Sequence, residues 1–277
     1  MARLETKYPQ GQVGTDDRQL GSLLEEENLD SNTYRQDYKR DGVLPRIDVF
    51  SYDEIECFRE QFNELEAREG KENCQIGLQA RHMDEPFIWE LATDSRVLDI
   101  MQAVMGDDVL LLSTHFFCKY PEKDSQSFVA WHQDITYWGL EPPEAHTAWI
   151  AIDDSDVQNG CMRVIPQSHT EGIAPHAKSK VAGNLLSINQ EIPDEHVDDS
   201  QAVDLVLRAG QMSVHDGQVF HASMPNRSDR RRCGLTVRFI PPYVKQAALN
   251  SVKQKWSPII VRGEDKHKNF EMTLAPF

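Results

Sequence analysis

The sequence predicts a mainly β fold, a barrel or jelly roll buttressed by helices, and three observations carry that expectation. Two amphipathic helical patterns come first, short β-rich segments punctuated by turn residues follow from Asp108 onward, and no Gly/Ser/Pro-rich linker divides the middle of the chain. At 277 residues, 39% of them hydrophobic, the chain is long enough for one large β domain or two small ones, and the missing linker favours one.

Residues 1–32 are polar, with an acidic cluster at Glu25, Glu26 and Glu27, and read as a flexible tail; a lid that orders over a pocket is the alternative. The single domain then occupies residues 33–277. Residues 42–50 read as a strand, after which Ser51 and Glu54 have the spacing of a capping box. Behind the box, Ile55, Phe58, Phe62 and Leu65 recur at helical intervals. A second helix begins near Asp94 or Ser95, carries Val97, Leu98, Met101, Val104 and Met105 on one face, and stops at Gly106. Strand-like runs follow at 109–120, 130–138, 148–152, 161–165, 204–207, 211–214, 219–222 and 234–240. Residues 170–200 are polar and irregular, a long insertion of the kind that often covers a site.

The formal charge is −16, from 45 acidic against 29 basic residues. Such a surface repels phosphate backbones and anionic membranes, so the expected partner is a small-molecule substrate, with no nucleic acid and no membrane. Monomer and homodimer both stay open. Five scattered cysteines without a CxxC pair point to a reducing compartment rather than a disulfide framework. The first ten residues lack an apolar stretch, and no apolar run approaches the ~20 residues of a membrane span. The expected location is cytoplasmic.

His132-Gln133-Asp134 is the central motif. On a strand, residues i and i+2 share a face, so an imidazole and a carboxylate converge on one point. That is two thirds of the 2-His-1-carboxylate set that suits non-haem Fe(II) and leaves coordination positions open. The motif is weak by itself. It gains weight from His221, in the apolar run Val219-Phe220-His221-Ala222, and from Arg232 eleven residues later, whose fork can grip a distal carboxylate.

These motifs resemble the phytanoyl-CoA dioxygenase family, a branch of the Fe(II)/2-oxoglutarate-dependent oxygenases. The resemblance runs from Asp41-Gly42 to about Tyr243 and includes the runs 116–121, 131–134 and 159–169, then His215-Asp216-Gly217, His221-Ala222-Ser223, Arg232 and Arg238. It implies a double-stranded β-helix (jelly-roll, cupin-like) core with flanking helices. It further implies iron ligands at His132, Asp134 and His221, and 2-oxoglutarate contacts at Arg232, Ser223, Trp149 and His115. Arg230 and Arg231 adjoin Arg232, and strand alternation with the spacing from His221 favours Arg232 as the clamp. Halogenating relatives replace the metal carboxylate with a small residue; Asp134 is kept, so the resemblance implies oxygen insertion or a related oxidation.

The implied enzyme is an Fe(II)/2-oxoglutarate-dependent dioxygenase that takes O2 and oxidises an unactivated C–H bond of a small molecule or natural-product intermediate. Hydroxylation is the first expectation, desaturation or cyclisation the variants, with succinate and CO2 released. A catalytically silent metal-binding jelly roll with a sensing role is the alternative, and a cupin-type enzyme working without 2-oxoglutarate is a third reading. No basic patch for coenzyme A stands out. Tyr137 and Trp138 follow the metal motif as candidate substrate contacts, with barrel-core packing as the alternative. Arg163 and Arg238 are candidates for an acidic substrate group, against structural ion pairing. His169 and His215 read as histidines tied into turns. His82, His146, His176, His196 and His267 read as surface residues.

Overall fold

The computed structural model describes residues 31–121, 126–250 and 253–277, so the acidic cluster at 25–27 and the tail-or-lid expectation lie outside it. Helix α1 (Ser31–Asp41) leads into strand β1 (Val43–Asp48) and helix α2 (Tyr52–Glu69). The expected capping box closes both ways, Glu54 N donating to Ser51 Oγ at 3.3 Å and Ser51 N donating to Glu54 Oε2 at 2.7 Å. Such caps contribute about 1 kcal/mol. Helix α1 escaped the sequence reading, and so did two more, α3 (Lys71–Ile76) and α4 (Pro86–Thr93). Neither of the latter has a side-chain cap, and α4 is too short for its buried Phe87, Ile88, Leu91 and Ala92 to declare a period. Helix α5 (Ser95–Met105) starts on an Asp94 cap and ends at Gly106, as expected.

The strands are β2 (Val109–Lys119), β3 (Val129–His132), β4 (Leu140–Glu141), β5 (His146–Ala151), β6 (Met162–Ile165), β7 (Ala177–Lys178), β8 (Gln190–Glu191), β9 (Val203–Leu205), β10 (Gln211–Asp216), β11 (Phe220–Ser223), β12 (Arg232–Ile240), β13 (Lys245–Gln246) and β14 (Ile259–Arg262). They form a six-stranded sheet in the order β1-β10-β5-β12-β2-β14 and a four-stranded sheet β3-β11-β6-β9. Pairing is antiparallel throughout both, which is the jelly-roll core the sequence predicted.

The large sheet buries both faces, for different reasons. Its outer face (Phe116, Ala148, Ile150, Val214, Leu235, Val237) packs on the helical layer through Ile55, Phe62, Leu65, Ile88, Leu91 and Leu98, all in one apolar cluster. Its inner face carries the polar residues of the site. Val109 and Phe116 lie an odd number of positions apart yet both join the outer cluster. A bulge resolves this: Arg238 pairs with Ser113 and Phe239 with Leu111, leaving Leu112 as an extra residue that shifts the alternation by one.

Parts of the polar insertion at 170–200 border the turn that carries Asp134, where the His176 ring meets the Tyr137 ring edge-on and Gln190 Nε2 donates to Thr136 Oγ1 at 3.1 Å. The insertion also packs on the outer face of the small sheet, where Ile192, Val181 and Leu186 meet Phe128, Trp131, Phe220 and Ala222. No helix among the described residues is long and apolar enough to cross a membrane.

Candidate active site

The His-Gln-Asp motif straddles the end of a strand rather than lying within one. Strand β3 stops at His132, Gln133 stays extended (φ −116°, ψ 129°), and Asp134 opens a 3-10 turn through Tyr137. One extended residue between them still turns both side chains the same way. The middle residue fixes the turn: Gln133 Nε2 donates to the carbonyls of Gly172 (2.8 Å) and Gln218 (2.7 Å), and its Oε1 accepts from Ala174 N at 2.8 Å. His176 is part of this anchor, its Nε2 accepting from Gln133 N at 3.1 Å, so it is half-buried structure rather than a free surface residue.

His221 pairs directly with His132 across β11 and β3, and the ring centroids are 4.0 Å apart. One ligand atom each from His132, Asp134 and His221 falls within 4.8 Å of the others, and all three residues are buried. His132 Nδ1 lies 2.9 Å from the Ala130 carbonyl and 3.0 Å from that of His221, and His221 Nδ1 lies 3.0 Å from the Val219 carbonyl. Carbonyls only accept, so each Nδ1 bears the proton and each Nε2 lone pair is free toward Asp134. Burial, reinforced by His132 and His215, pushes the His221 imidazole well below its ordinary range, which keeps it in the neutral, ligating form. Burial opposes ionisation of Asp134, but His132, His215, Arg238 and His221 around it outweigh that and hold its carboxyl well below the usual range. Two imidazoles and one carboxylate, with ligand atoms within 4.8 Å of one another, fit a divalent non-haem iron.

Ser223, two residues beyond His221 on the same face of β11, leads to a second group of polar side chains. Its hydroxyl accepts from Lys119 Nζ at 2.6 Å, and Lys119 also donates to the Met224 carbonyl. Arg232 pairs with Lys119 in the β12–β2 register. Its guanidinium carbon lies 5.5 Å from the Trp149 ring centroid, and its Nε is buried without a hydrogen-bond partner among the described residues. Burial, then the Arg232 charge, drives the Lys119 ammonium well below its ordinary range. Among the described residues no carboxylate forms an ion pair with either side chain. A desolvated guanidinium without a counter-charge, beside a buried lysine, makes a receptor for a carboxylate. Arg230 and Arg231 are committed elsewhere, to Asp156 and to Asp153, Asn63 and Glu66, which leaves Arg232 as the one of the three facing inward.

His115 also lies on the inner face, but its Nε2 is held by the Ile76 carbonyl at 2.7 Å and its ring packs on Phe117. Tyr137 keeps a buried hydroxyl without a partner among the described residues, and Trp138 packs in the apolar cluster at that end of the barrel. Arg238 lies 3.9 Å from Asp134 Oδ2. Arg163 sits on the outer face of the small sheet, where Asp199 (3.1 Å) and Asp204 (2.9 Å) pair with it over the Trp131 ring.

Besides His176, three more histidines depart from the sequence expectation. His215 is not in a turn: β10 continues through Asp216, and His215 is buried on the inner face with its Nε2 3.8 Å from Asp134 Oδ2 and both ring nitrogens unpartnered among the described residues. His82 and His146 are buried rather than exposed, bonded to Thr114 Oγ1 (2.9 Å) and Tyr38 Oη (2.7 Å). His169 does sit in a 3-10 turn, and His196 and His267 are exposed. Lys119 is the residue the sequence reading missed. The signal was present, since Lys119 keeps the alternation of His115 and Phe117 at the inner end of β2.

Jelly-roll topology with this donor set at one end and a buried guanidinium at the other defines the fold and site of the non-haem, 2-oxoglutarate-dependent oxygenases. The non-heme monooxygenase ThoJ, in its apo form, superposes with a TM-score of 0.70 at 26% identity, over 87% of this chain and 86% of its own. The epimerase SnoN in complex with Fe3+, alpha ketoglutarate and nogalamycin RO shares the fold at a TM-score of 0.63 and 20% identity, over 78% of this chain and 85% of its own. The family model for phytanoyl-CoA dioxygenase (PhyH) matches residues 38–234, and the chain belongs to that family. A Phytanoyl-CoA dioxygenase domain-containing protein 1 homolog of Dictyostelium discoideum is 36% identical over 39% of this chain and 39% of its own length. The probable alpha-ketoglutarate-dependent hypophosphite dioxygenase of Stutzerimonas stutzeri is 25% identical over 61% of this chain and 60% of its own length. The chain thus matches 39% and 60% of the lengths of these two relatives, less than two thirds of either.

Proposed function

We propose that the protein is an Fe(II)/2-oxoglutarate-dependent dioxygenase that oxidises an unactivated C–H bond of a small molecule, in the first instance by hydroxylation. The observation that carries this reading is the pairing, within one barrel, of a buried His132–Asp134–His221 cluster with a buried Arg232 that lacks a counter-charge beside Lys119. Ser223 and His221 share one strand face, which aligns the two ends for a short dicarboxylate. In the net reaction substrate, O2 and 2-oxoglutarate give hydroxylated substrate, succinate and CO2.

His132, Asp134 and His221 would hold the iron, which when bound supplies the activation of O2 coupled to decarboxylation of the cosubstrate. The remaining work belongs to the chain. The carbonyls of Ala130, His221 and Val219 orient the two imidazoles and fix their tautomer. Arg232, with Lys119 and Ser223 behind it, would grip the distal carboxylate, and Trp149 would wall its stem. Burial of the whole groove excludes water from the reacting groups. Tyr137, Trp138 and Arg238 lie on the side of Asp134 away from this clamp and are the candidate substrate contacts.

Succinate formed from 2-oxoglutarate in the presence of Fe(II), ascorbate and O2 is the direct test. No succinate, with 2-oxoglutarate failing to bind the metal-loaded protein, would replace this reading with a non-catalytic module. Stutzerimonas hypophosphite dioxygenase is named for a small oxyanion, which is compatible with a small polar substrate here.

A further inference from the structure

Arg238 is a second buried cation that the clamp does not use. It projects from the same face of β12 as Arg232, its side chain is 11% exposed, and its Nε has no hydrogen-bond partner among the described residues. Its one ion-pair contact there is Asp134 Oδ2 at 3.9 Å, beyond hydrogen-bond range, and that carboxylate is the one the metal would occupy. Trp138 backs the guanidinium, whose carbon is 5.2 Å from the ring centroid.

The surroundings repeat the pattern. Arg238, Thr147 and His215 form one cross-strand row over β12, β5 and β10. His215 offers two unpartnered ring nitrogens, and the buried Tyr137 Oη is also unpartnered among the described residues. Buried polar atoms ordinarily find partners, so several orphans around one guanidinium mark a place where a ligand supplies them. A neutral ligand would leave the positive charge desolvated and uncompensated, whereas a carboxylate or phosphonate meets it with paired hydrogen bonds.

We infer that Arg238 anchors the charged group of the substrate, which is therefore a small organic anion, with Tyr137 and His215 as its hydrogen-bonding neighbours. This rests on the oxygenase reading, because Asp134 and Arg232 must already be engaged by metal and cosubstrate. The same chemistry has a second source, the metal-end carboxylate of 2-oxoglutarate itself, and the experiment separates the two.

Protein loaded with Mn(II) and saturating 2-oxoglutarate is titrated with methylphosphonate, propionate and the uncharged propionamide, reading the paramagnetic broadening of each probe's NMR lines. Both anions should broaden at least about tenfold more than propionamide, and Arg238→Met should remove about nine tenths of that effect. Arg238→Lys, which keeps the charge and loses the fork, should retain an intermediate share and carries the test if the methionine variant does not fold. Affinity for 2-oxoglutarate should stay within about threefold in Arg238→Met and fall at least about thirtyfold in Arg232→Met. Equal broadening by anions and amide, or by wild type and both Arg238 variants, overturns the inference. Loss of 2-oxoglutarate binding in Arg238→Met to the extent seen in Arg232→Met also overturns it, assigning Arg238 to the cosubstrate. Failure of the wild type to bind 2-oxoglutarate at all overturns the oxygenase reading instead.

Discussion

The Trp149 indole lies flat across Gly234: a Cβ built at Gly234 would come within 2.0 Å of Trp149 Cζ2. The two residues sit on neighbouring strands β5 and β12, and the space Gly234 vacates lets the ring lie beside the Arg232 guanidinium. Glycine here is a matter of contact, not of backbone conformation.

Gly234→Ala should therefore displace Trp149 into the proposed 2-oxoglutarate groove. Overpacking of this kind costs about 1–3 kcal/mol. The expected outcome is a lower melting temperature together with at least a tenfold (~1.4 kcal/mol) loss of 2-oxoglutarate affinity by calorimetry. Metal affinity, measured separately, should be nearly unchanged.

Asp134→Ala removes the only carboxylate of the buried cluster and leaves His132 and His221 without their anionic partner. Metal affinity should fall by at least about 100-fold, beyond the usual cost of losing a residue that merely orients a ligand. Iron or manganese should raise the wild-type melting temperature by about 5 °C at a concentration near 100 times Kd. That shift should vanish in Asp134→Ala, and a variant that kept it would remove the carboxylate from the site.

Lys119→Met tests the residue opposite Arg232. Its ammonium is buried and bonded to Ser223 Oγ and the Met224 carbonyl. The expected result is a rise of about tenfold in the KM for 2-oxoglutarate with a much smaller change in metal affinity. An unchanged KM would reduce Lys119 to a strut holding Ser223.

Stability should fall as pH drops from about 6.5 toward 4. Burial pushes the His82 imidazole down to about 4, while in the unfolded chain it titrates near 6.5. Between these values the unfolded state takes up a proton that the folded state refuses, so the contribution present above pH 6.5 is progressively lost, on the order of 2 kcal/mol. Urea midpoints measured at about pH 7 and pH 4.5 should show this decline, and His82→Gln should flatten it.

Much of the site was legible because its residues obey simple periodicities. His132 and Asp134 needed only one extended residue between them, and Arg232 needed only the inward phase of β12. The histidines were harder. The Asp216-Gly217 turn signal suggested that His215 lay in the turn, whereas β10 holds its pairing with β5 through Asp216. His82 and His146 look like ordinary polar residues in sequence, and their burial depends on Thr114 and Tyr38 arriving from distant segments. Lys119 was hidden by its type, since a lysine at a strand end usually faces water, and only the barrel reveals that this one points in.

Leu112 sets the phase of the whole inner row below it. Without that extra residue β2 would keep its pairing with β12 but turn over like a ribbon given half a twist. His115, Phe117 and Lys119 would then point at the helices, and Phe116 and Cys118 would fill the groove. The barrel would still close, and the lysine behind Ser223 would be gone, so a one-residue deletion at this strand should silence the protein more thoroughly than it unfolds it.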